Sequence, residues 1–109
     1  ETMPAVVKKD GRREPFDRSK IVSGLKKACE KRPIGTATIE AVTDRIEKRI
    51  QDLGETEIVS TAVGEEVMRE LSQLDQVAYV RFASVYREFK DIDQFMDEIK
   101  ALAQQRRER

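Results

Sequence analysis

Histidine and tryptophan are absent from this 109-residue sequence, and cysteine occurs once, as Cys29. A single cysteine cannot form an intrachain disulfide, and without histidine the usual thiolate and imidazole zinc sites are excluded. Ions that prefer oxygen ligands, such as Mg²⁺, stay compatible with the composition. No apolar run approaches the roughly 20 residues that a membrane-spanning helix needs, and no signal peptide opens the sequence. The composition therefore predicts a reducing, cytoplasmic location and no membrane partner.

Charge is balanced overall, with 21 basic and 21 acidic residues, but it is segregated along the chain. Residues 1–32 carry ten basic and five acidic side chains, residues 33–75 four and ten, and residues 76–109 seven and six. Nucleic-acid-binding modules usually carry a strong basic excess. Because the excess here is confined to the first segment, it favours a compact anion over a duplex. DNA binding by these residues alone is not expected.

The start of the sequence predicts a β-hairpin and a capped helix. Val6-Val7 is a short apolar strand, Asp10-Gly11 a hairpin turn, and Arg12–Phe16 the returning strand. Asp17 suits the N-cap of the helix that follows, because its carboxylate can accept from the free amides of the next turn. The proline and glycine of residues 33–35 are expected to end that helix.

Apolar residues at helical spacing predict five helices, and Glu57–Val59 is expected to be a short extended link. Helix by helix, the apolar positions are Ile21, Leu25, Ala28 and Cys29; Ile39, Val42, Ile46, Ile50 and Leu53; Val63, Val67, Leu71 and Leu74; Val77, Ala78, Phe82, Val85 and Phe89; and Ile92, Phe95, Met96, Ile99 and Leu102. Since an isolated two-stranded ribbon is marginal in water, the hairpin must pack on the helices. The expected fold is α+β and mainly α, a small β-hairpin on a bundle of four to five helices. Residues 1–5 are expected to be a linker and residues 101–109 a polar, frayed tail.

Cationic side chains converge on the predicted amino end of the first helix. Lys8 and Lys9 follow the first strand, Lys20 lies in the first helical turn, and Arg12 or Arg13 could reach from the second strand. A helix N-terminus favours a phosphate through its free amides and partial positive charge. Lysine clusters on hairpins are usually solvated faces, so the spacing alone leaves a polyphosphate site and a plain surface both open.

A stronger indication comes from the order of residues across the hairpin. The ordered residues are Val6, Lys8, Lys9, Asp10, Gly11, Glu14, Pro15, Phe16 and Lys20. In this order the sequence resembles the ATP-cone family, the nucleotide-sensing domain of ribonucleotide reductases and of the bacterial repressor of their genes. The resemblance implies an ATP-cone over residues 6–100 that binds ATP or dATP, with Mg²⁺ at the phosphates.

The same resemblance implies roles for individual residues. Val6 and Ile21 would line the adenine pocket, Lys8, Lys9 and Lys20 would contact phosphates, Glu14 would lie near the base or a lysine, and Val63 and Gly64 would border the base. These roles are what the family implies at the matching positions of this sequence.

A second block, Leu74–Phe89, is similar to one in the bacterial transcriptional repressor of ribonucleotide reductase genes, more than to the reductase subunits. The break at Glu30–Pro33 points to the same repressor. Tyr79, Arg81 and Tyr86 then become candidates for nucleotide or subunit contacts, and Tyr86 is taken as a nucleotide-binding residue. Aromatic residues at helical spacing are nevertheless more often part of the core.

The repressors of this family carry a four-cysteine zinc ribbon ahead of the cone, and that ribbon contacts promoter DNA. These 109 residues hold one cysteine and therefore no such ribbon. We expect either a truncated regulatory half of the repressor or a domain of some other parent, with zinc and promoter DNA bound only by the missing region. Cys29, on the apolar face of the first predicted helix, is expected to be an inert core thiol.

The expected function is nucleotide sensing, in which ATP or dATP controls homo-oligomerisation and thereby DNA binding by the ribbon. Two alternatives stay open: the allosteric cone of a reductase catalytic subunit, and a helical interaction module without a ligand. Enzyme activity is not expected, because no Walker A loop, dinucleotide fingerprint or HExxH motif is present. Histidine, the commonest general base, is also missing.

Overall fold

The computed structural model of the chain describes residues 3–87, 89 and 91–107, which form three strands and five helices. In chain order the elements are β1 (Ala5–Val7), β2 (Arg13–Glu14), α1 (Arg18–Ala28), α2 (Thr36–Asp52), β3 (Glu57–Val59), α3 (Ser60–Leu74), α4 (Gln76–Tyr86) and α5 (Ile92–Arg107). The predicted fold class, α+β with mainly helical content, is confirmed. Residues 1 and 2 of the predicted linker and residues 108 and 109 of the predicted tail lie outside the described residues.

The sheet has the order β2-β1-β3, with β1 in the centre. The predicted hairpin is confirmed: β1 and β2 are antiparallel, and Val6 lies opposite Glu14. Gly11 closes the turn at φ +88°, a left-handed conformation that glycine adopts without a steric penalty. The predicted extended link Glu57–Val59 is a third strand instead, parallel to β1 with Ile58 opposite Val6. Three residues carry too little pattern to reveal a partner so distant in the chain.

A capping residue sets the start of α1, as the sequence predicted. The Asp17 carboxylate accepts from the Ser19 amide at 2.9 Å, so α1 begins where expected. The carboxyl end of α1 differs, because the helix stops at Ala28, before the proline and glycine of residues 33–35. The Arg81 guanidinium donates to the carbonyl oxygens of Ala28 and Glu30, at 3.1 and 2.6 Å, and so satisfies the free end of the helix.

The core lies between helices α1 to α4. Leu25, Val42, Ile46 and Leu71 are completely buried in it, each on a helical face that the apolar spacing predicted. Cys29 is also buried, as expected, and burial raises the pKa of its thiol. A protonated, inaccessible thiol of this kind is chemically unreactive.

Five predicted core positions are solvent-exposed: Leu53, Val77, Val85, Ile92 and Met96. Leu53 is the C-cap of α2, past the last turn that contacts another element. On α4 the buried face passes through Ala78, Tyr79 and Ala83 and leaves Val85 79% exposed. Because α4 carries apolar residues on most of its circumference, helical spacing could not identify which side faces the core.

Helix α5 continues to Arg107, past the boundary that the sequence predicted at residue 100. Leu102, the last member of the predicted apolar stripe, is 5% exposed and anchors this end of the helix. Within the described residues, none of the helices combines the length and apolarity needed to cross a membrane.

Replacement of Asp75 by alanine is expected to lower the free energy of unfolding by about 1–2 kcal/mol, the usual cost of a lost N-cap. Asp75 accepts from the Ala78 amide at 2.9 Å and pairs with Arg32 at 2.9 Å. Burial opposes the charged form, but these partners outweigh it and hold the pKa of Asp75 below its ordinary value. Urea unfolding at pH 7 measures the loss.

The Asp75→Asn variant is the matched control, because it keeps a cap acceptor and removes only the charge. The folded-state pKa of Asp75 is lowered, so its stabilisation is present above the unfolded-state pKa and disappears as the pH falls through the folded value. The stability difference between the parent and the alanine variant should therefore shrink in acid. A difference that is the same at pH 7 and in strong acid would contradict this role.

Candidate functional site

An open cavity of about 330 Å³ lies between the sheet and helices α1, α3 and α4. Its lining residues are Val6, Lys8, Glu14, Pro15, Phe16, Asp17, Lys20, Ile21, Gly24, Ser60, Val63, Gly64, Val67, Phe82 and Tyr86. Small-molecule sites usually enclose about 300–1,000 Å³, so the cavity suits part of a ligand whose remainder extends into solvent. The hairpin forms one wall, as the sequence predicted, because it packs against α1.

Eight of the nine predicted nucleotide-binding residues line this cavity. They are Val6, Lys8, Glu14, Lys20, Ile21, Val63, Gly64 and Tyr86. Lys9 is the exception: it lies exposed in the turn after β1, outside the lining. The fold thus brings most of the predicted residues to one place, while the binding role of each stays a prediction.

The inner part of the cavity is apolar and flat-walled. Val6 of β1 and Ile21 of α1 contribute one side, and Val63 of α3 contributes another. The rings of Phe82 and Tyr86 stack with centroids 5.6 Å apart and planes 25° apart. Walls of this kind favour a planar, weakly polar group, because aromatic faces pack well against other π-systems.

Tyr86 is held against the backbone of α3. Its hydroxyl donates to the Thr61 carbonyl oxygen at 2.6 Å, and burial, with a smaller contribution from Glu65, raises its pKa. The phenol therefore stays protonated and keeps this bond. A Cβ at Gly64 would lie 2.6 Å from the Tyr86 hydroxyl oxygen and closer still to two ring carbons. Glycine is thus required at position 64 for the ring to lie where it does.

Two ammonium groups and one carboxylate form the mouth of the cavity. Lys8 Nζ and Lys20 Nζ lie 3.7 and 3.3 Å from the same oxygen, Glu14 Oε2. The hydrogen bond from Lys20 holds the pKa of Glu14 below its ordinary value, so the carboxylate is ionised. The Lys20 side chain is 64% exposed, which leaves it free to reach a ligand that extends out of the cavity.

At the amino end of α1, where the sequence predicted a phosphate, the Ser19 amide is already bonded. The Asp17 carboxylate already accepts from the amide and the hydroxyl of Ser19, at 2.9 and 2.6 Å. An anionic cap repels a phosphate, so positive charge at the mouth comes from the lysine side chains. Arg12 and Arg13 do not line the cavity; they pair with Asp10 and Glu57.

Tyr79 and Arg81, two further candidates from the sequence, have structural roles and lie outside the lining. The buried Tyr79 hydroxyl donates to Glu98 of α5, and Arg81 caps the carboxyl end of α1. Neither residue lines this cavity, and their predicted role in nucleotide or subunit contacts stays a prediction. Their partners are on other helices, which a sequence pattern does not reveal.

Seven lining residues were missing from the predicted set: Pro15, Phe16, Asp17, Gly24, Ser60, Val67 and Phe82. Three of these, Gly24, Val67 and Phe82, continue a predicted helix face. Each lies one helical turn from a predicted residue, three after Ile21, four after Val63 and four before Tyr86. Since residues three or four apart share a helix face, extending each predicted contact by one turn would have found them.

The described residues contain no group of three or more cysteine, aspartate or glutamate side chains placed to hold a metal ion. The arrangement can instead bind a ligand with a flat apolar part and an anionic part. The apolar part fits between the walls, and the anionic part meets Lys8 and Lys20 at the mouth.

Comparison with known proteins agrees with this chemistry. The family profile of the ATP cone domain matches residues 4–92. Over 102 residues, 94% of the chain, the sequence is 63% identical to the transcriptional repressor NrdR of Myxococcus xanthus. Over the same length it is 61% and 62% identical to the proteins of that name in Pelobacter propionicus and Geotalea uraniireducens. The chain spans 61% of the Myxococcus protein and 68% of each of the other two.

Proposed function

Because this chain belongs to the ATP-cone domain family and, within it, to the NrdR transcriptional repressors, we propose that its cavity is the adenine-nucleotide site of a regulatory domain. One observation carries the proposal. Lys8 and Lys20, from separate elements, meet at the mouth of an apolar cavity that eight predicted residues line. The apolar lining suits the adenine of ATP, and the paired cations suit its phosphates.

In the proposed complex the adenine ring packs between Val6 and Ile21 on one side and Val63 and Gly64 on the other. Lys8 and Lys20 bind the phosphates, and Lys9, exposed in the neighbouring turn, contributes at their outer end. Mg²⁺ accompanies the phosphates, since this ion prefers phosphate oxygens and water to an all-protein cage. Both ATP and dATP are proposed ligands, because they differ only at the 2′ position.

The proposed output is a change of assembly, without turnover of the nucleotide. Phe82 lines the nucleotide cavity and also an adjoining groove that includes Val85. Val85 is 79% exposed, so apolar surface for contacts between copies lies next to the site. A nucleotide can bias alternative packings only through its different affinity for them.

The proposed effect on transcription lies outside these residues. In the full-length relatives, we infer that nucleotide-dependent assembly sets the spacing of zinc ribbons that grip promoter DNA. Zinc and DNA would then be ligands of another segment, and the homo-oligomer would connect that segment to the cavity. A reductase catalytic subunit is the less favoured parent, because the relatives matched over 94% of the chain are named as repressors.

Addition of ATP is expected to change the mass of the assembly that the chain forms. Light scattering coupled to size exclusion, run without nucleotide, with ATP and with dATP, measures the change. A Val85→Lys variant should keep ATP binding and lose the larger assembly, because lysine places a charge in the exposed apolar surface. Assembly that is identical in all three conditions would instead support a ligand-free interaction module.

A further inference from the structure

We propose that Glu14 is an internal counter-ion of the site, which the ligand's phosphates must displace, so that Glu14 reduces affinity in proportion to the ligand's charge. This inference rests on the proposed nucleotide site. Its starting point is that one oxygen, Glu14 Oε2, contacts both Lys8 and Lys20. The two cations assigned to the phosphates are therefore already paired with a carboxylate of the chain itself.

The backbone keeps Glu14 at the mouth. Glu14 ends β2 and lies opposite Val6 in the antiparallel pair, so its Cα is fixed beside the strand that forms the cavity wall. Its side chain is 29% exposed, less than those of both lysines. When phosphates take the lysines, the carboxylate can swing away only by the length of its own side chain. It stays near the phosphates and repels them.

The other acidic residue of the lining has a different task. Asp17 accepts from the Ser19 amide and hydroxyl as the cap of α1, whereas the ion pairs of Lys8 and Lys20 are with Glu14. Glu14 is thus the lining carboxylate that pairs with Lys8 and Lys20, the lysines proposed to bind the phosphates. Coulomb repulsion between it and a ligand grows with each phosphate that the ligand carries.

The experiment compares the parent chain with Glu14→Gln, which preserves shape and removes the charge. Calorimetric titrations use adenosine, AMP, ATP and inorganic tripolyphosphate. We expect Glu14→Gln to bind ATP and tripolyphosphate about tenfold more tightly, AMP about two- to threefold more tightly, and adenosine unchanged. The gain should shrink as ionic strength rises, because salt screens exposed charges.

Glu57→Gln is the matched control. Glu57 is an acidic residue of the same sheet that pairs with Arg13 and does not line the cavity, so the same substitution there should leave every affinity unchanged. Urea midpoints of both variants report whether either one loses stability.

Four results would overturn the proposal that Glu14 is an internal counter-ion. Weaker tripolyphosphate binding in Glu14→Gln would mean that Glu14 positions the lysines. Unchanged binding would mean that its charge has no effect on affinity. A change in adenosine binding would place it against the nucleoside. An equal gain in ATP and tripolyphosphate affinity in Glu57→Gln would mean that the net charge of the chain, and not the position of Glu14, causes the effect. Failure of the parent to bind ATP, with the tripolyphosphate gain intact, would contradict the nucleotide proposal and leave the counter-ion standing.

Discussion

A Lys8→Ala, Lys20→Ala double variant is expected to bind ATP at least about 100-fold more weakly than the parent chain. A hydrogen bond to a charged group contributes roughly 1.5–3 kcal/mol, which corresponds to about 10- to 100-fold in affinity for each lysine. The loss also leaves Glu14 without the two cations that now neutralise it, so its charge opposes the phosphates. Affinity for adenosine should change little. Calorimetry with both ligands at about 0.15 M salt, where the Debye length is about 8 Å, measures the two effects.

A Lys26→Ala, Lys27→Ala variant provides the charge-matched control. These lysines lie in the last turn of α1, outside the cavity lining, and their replacement removes the same two charges. We expect its ATP affinity to stay within about threefold of the parent, because these exposed lysines do not line the cavity and salt screens their charges. Equal losses in the two double variants would mean that long-range charge, and no local contact, governs binding.

Gly64→Ala is expected to destabilise the chain by about 1–3 kcal/mol, the usual cost of overpacking a tight contact. A Cβ at this position cannot coexist with the Tyr86 ring in its present place. The ring must leave, which breaks its bond to the Thr61 carbonyl and its stack on Phe82. One wall of the cavity moves with it, so ATP affinity should fall as well. Urea unfolding and calorimetry measure the two losses.

The sign of the Gly64 effect should reverse when Tyr86 is removed. A Tyr86→Ala background removes the three atoms nearest to the new methyl group, and alanine is favoured over glycine in a helix interior by about 0.8–1.0 kcal/mol. Gly24→Ala is the matched control on α1, because its Cβ would lie at an ordinary 3.6 Å from Phe82 Cε2. Destabilisation by Gly64→Ala that persists without Tyr86 would show that the ring is not the cause.

Local signals made much of the fold predictable from the sequence. The Asp10-Gly11 turn, the Asp17 cap and the apolar stripes of α1 to α3 depend on neighbours in the chain, and each appears in the structure. Features that depend on distant partners were not predictable. Strand β3 needs β1 as its partner, and the end of α1 is set by Arg81, a residue of α4.

The candidate site also combines features that the sequence could predict with features that depend on distant partners. Lys8, Glu14 and Lys20 form a short motif whose members the hairpin necessarily brings together. Gly64 and Tyr86 came from family resemblance, and only the packing of α3 on α4 explains why they belong in one cavity. The expected phosphate contact with the helix amides stays a prediction, and one feature of α1 argues against it. Asp17, the residue that starts α1, also fills its free amino end with negative charge.

A crystal structure of the chain grown with ATP tests the central claim most directly. The account predicts phosphate oxygens within about 2.7–3.2 Å of Lys8 Nζ and Lys20 Nζ, at hydrogen-bond distance. It also predicts the adenine ring between Val6 and Ile21, with Glu14 no longer bridging the two lysines. A nucleotide bound elsewhere on the chain, with the lysines still paired to Glu14, would contradict it.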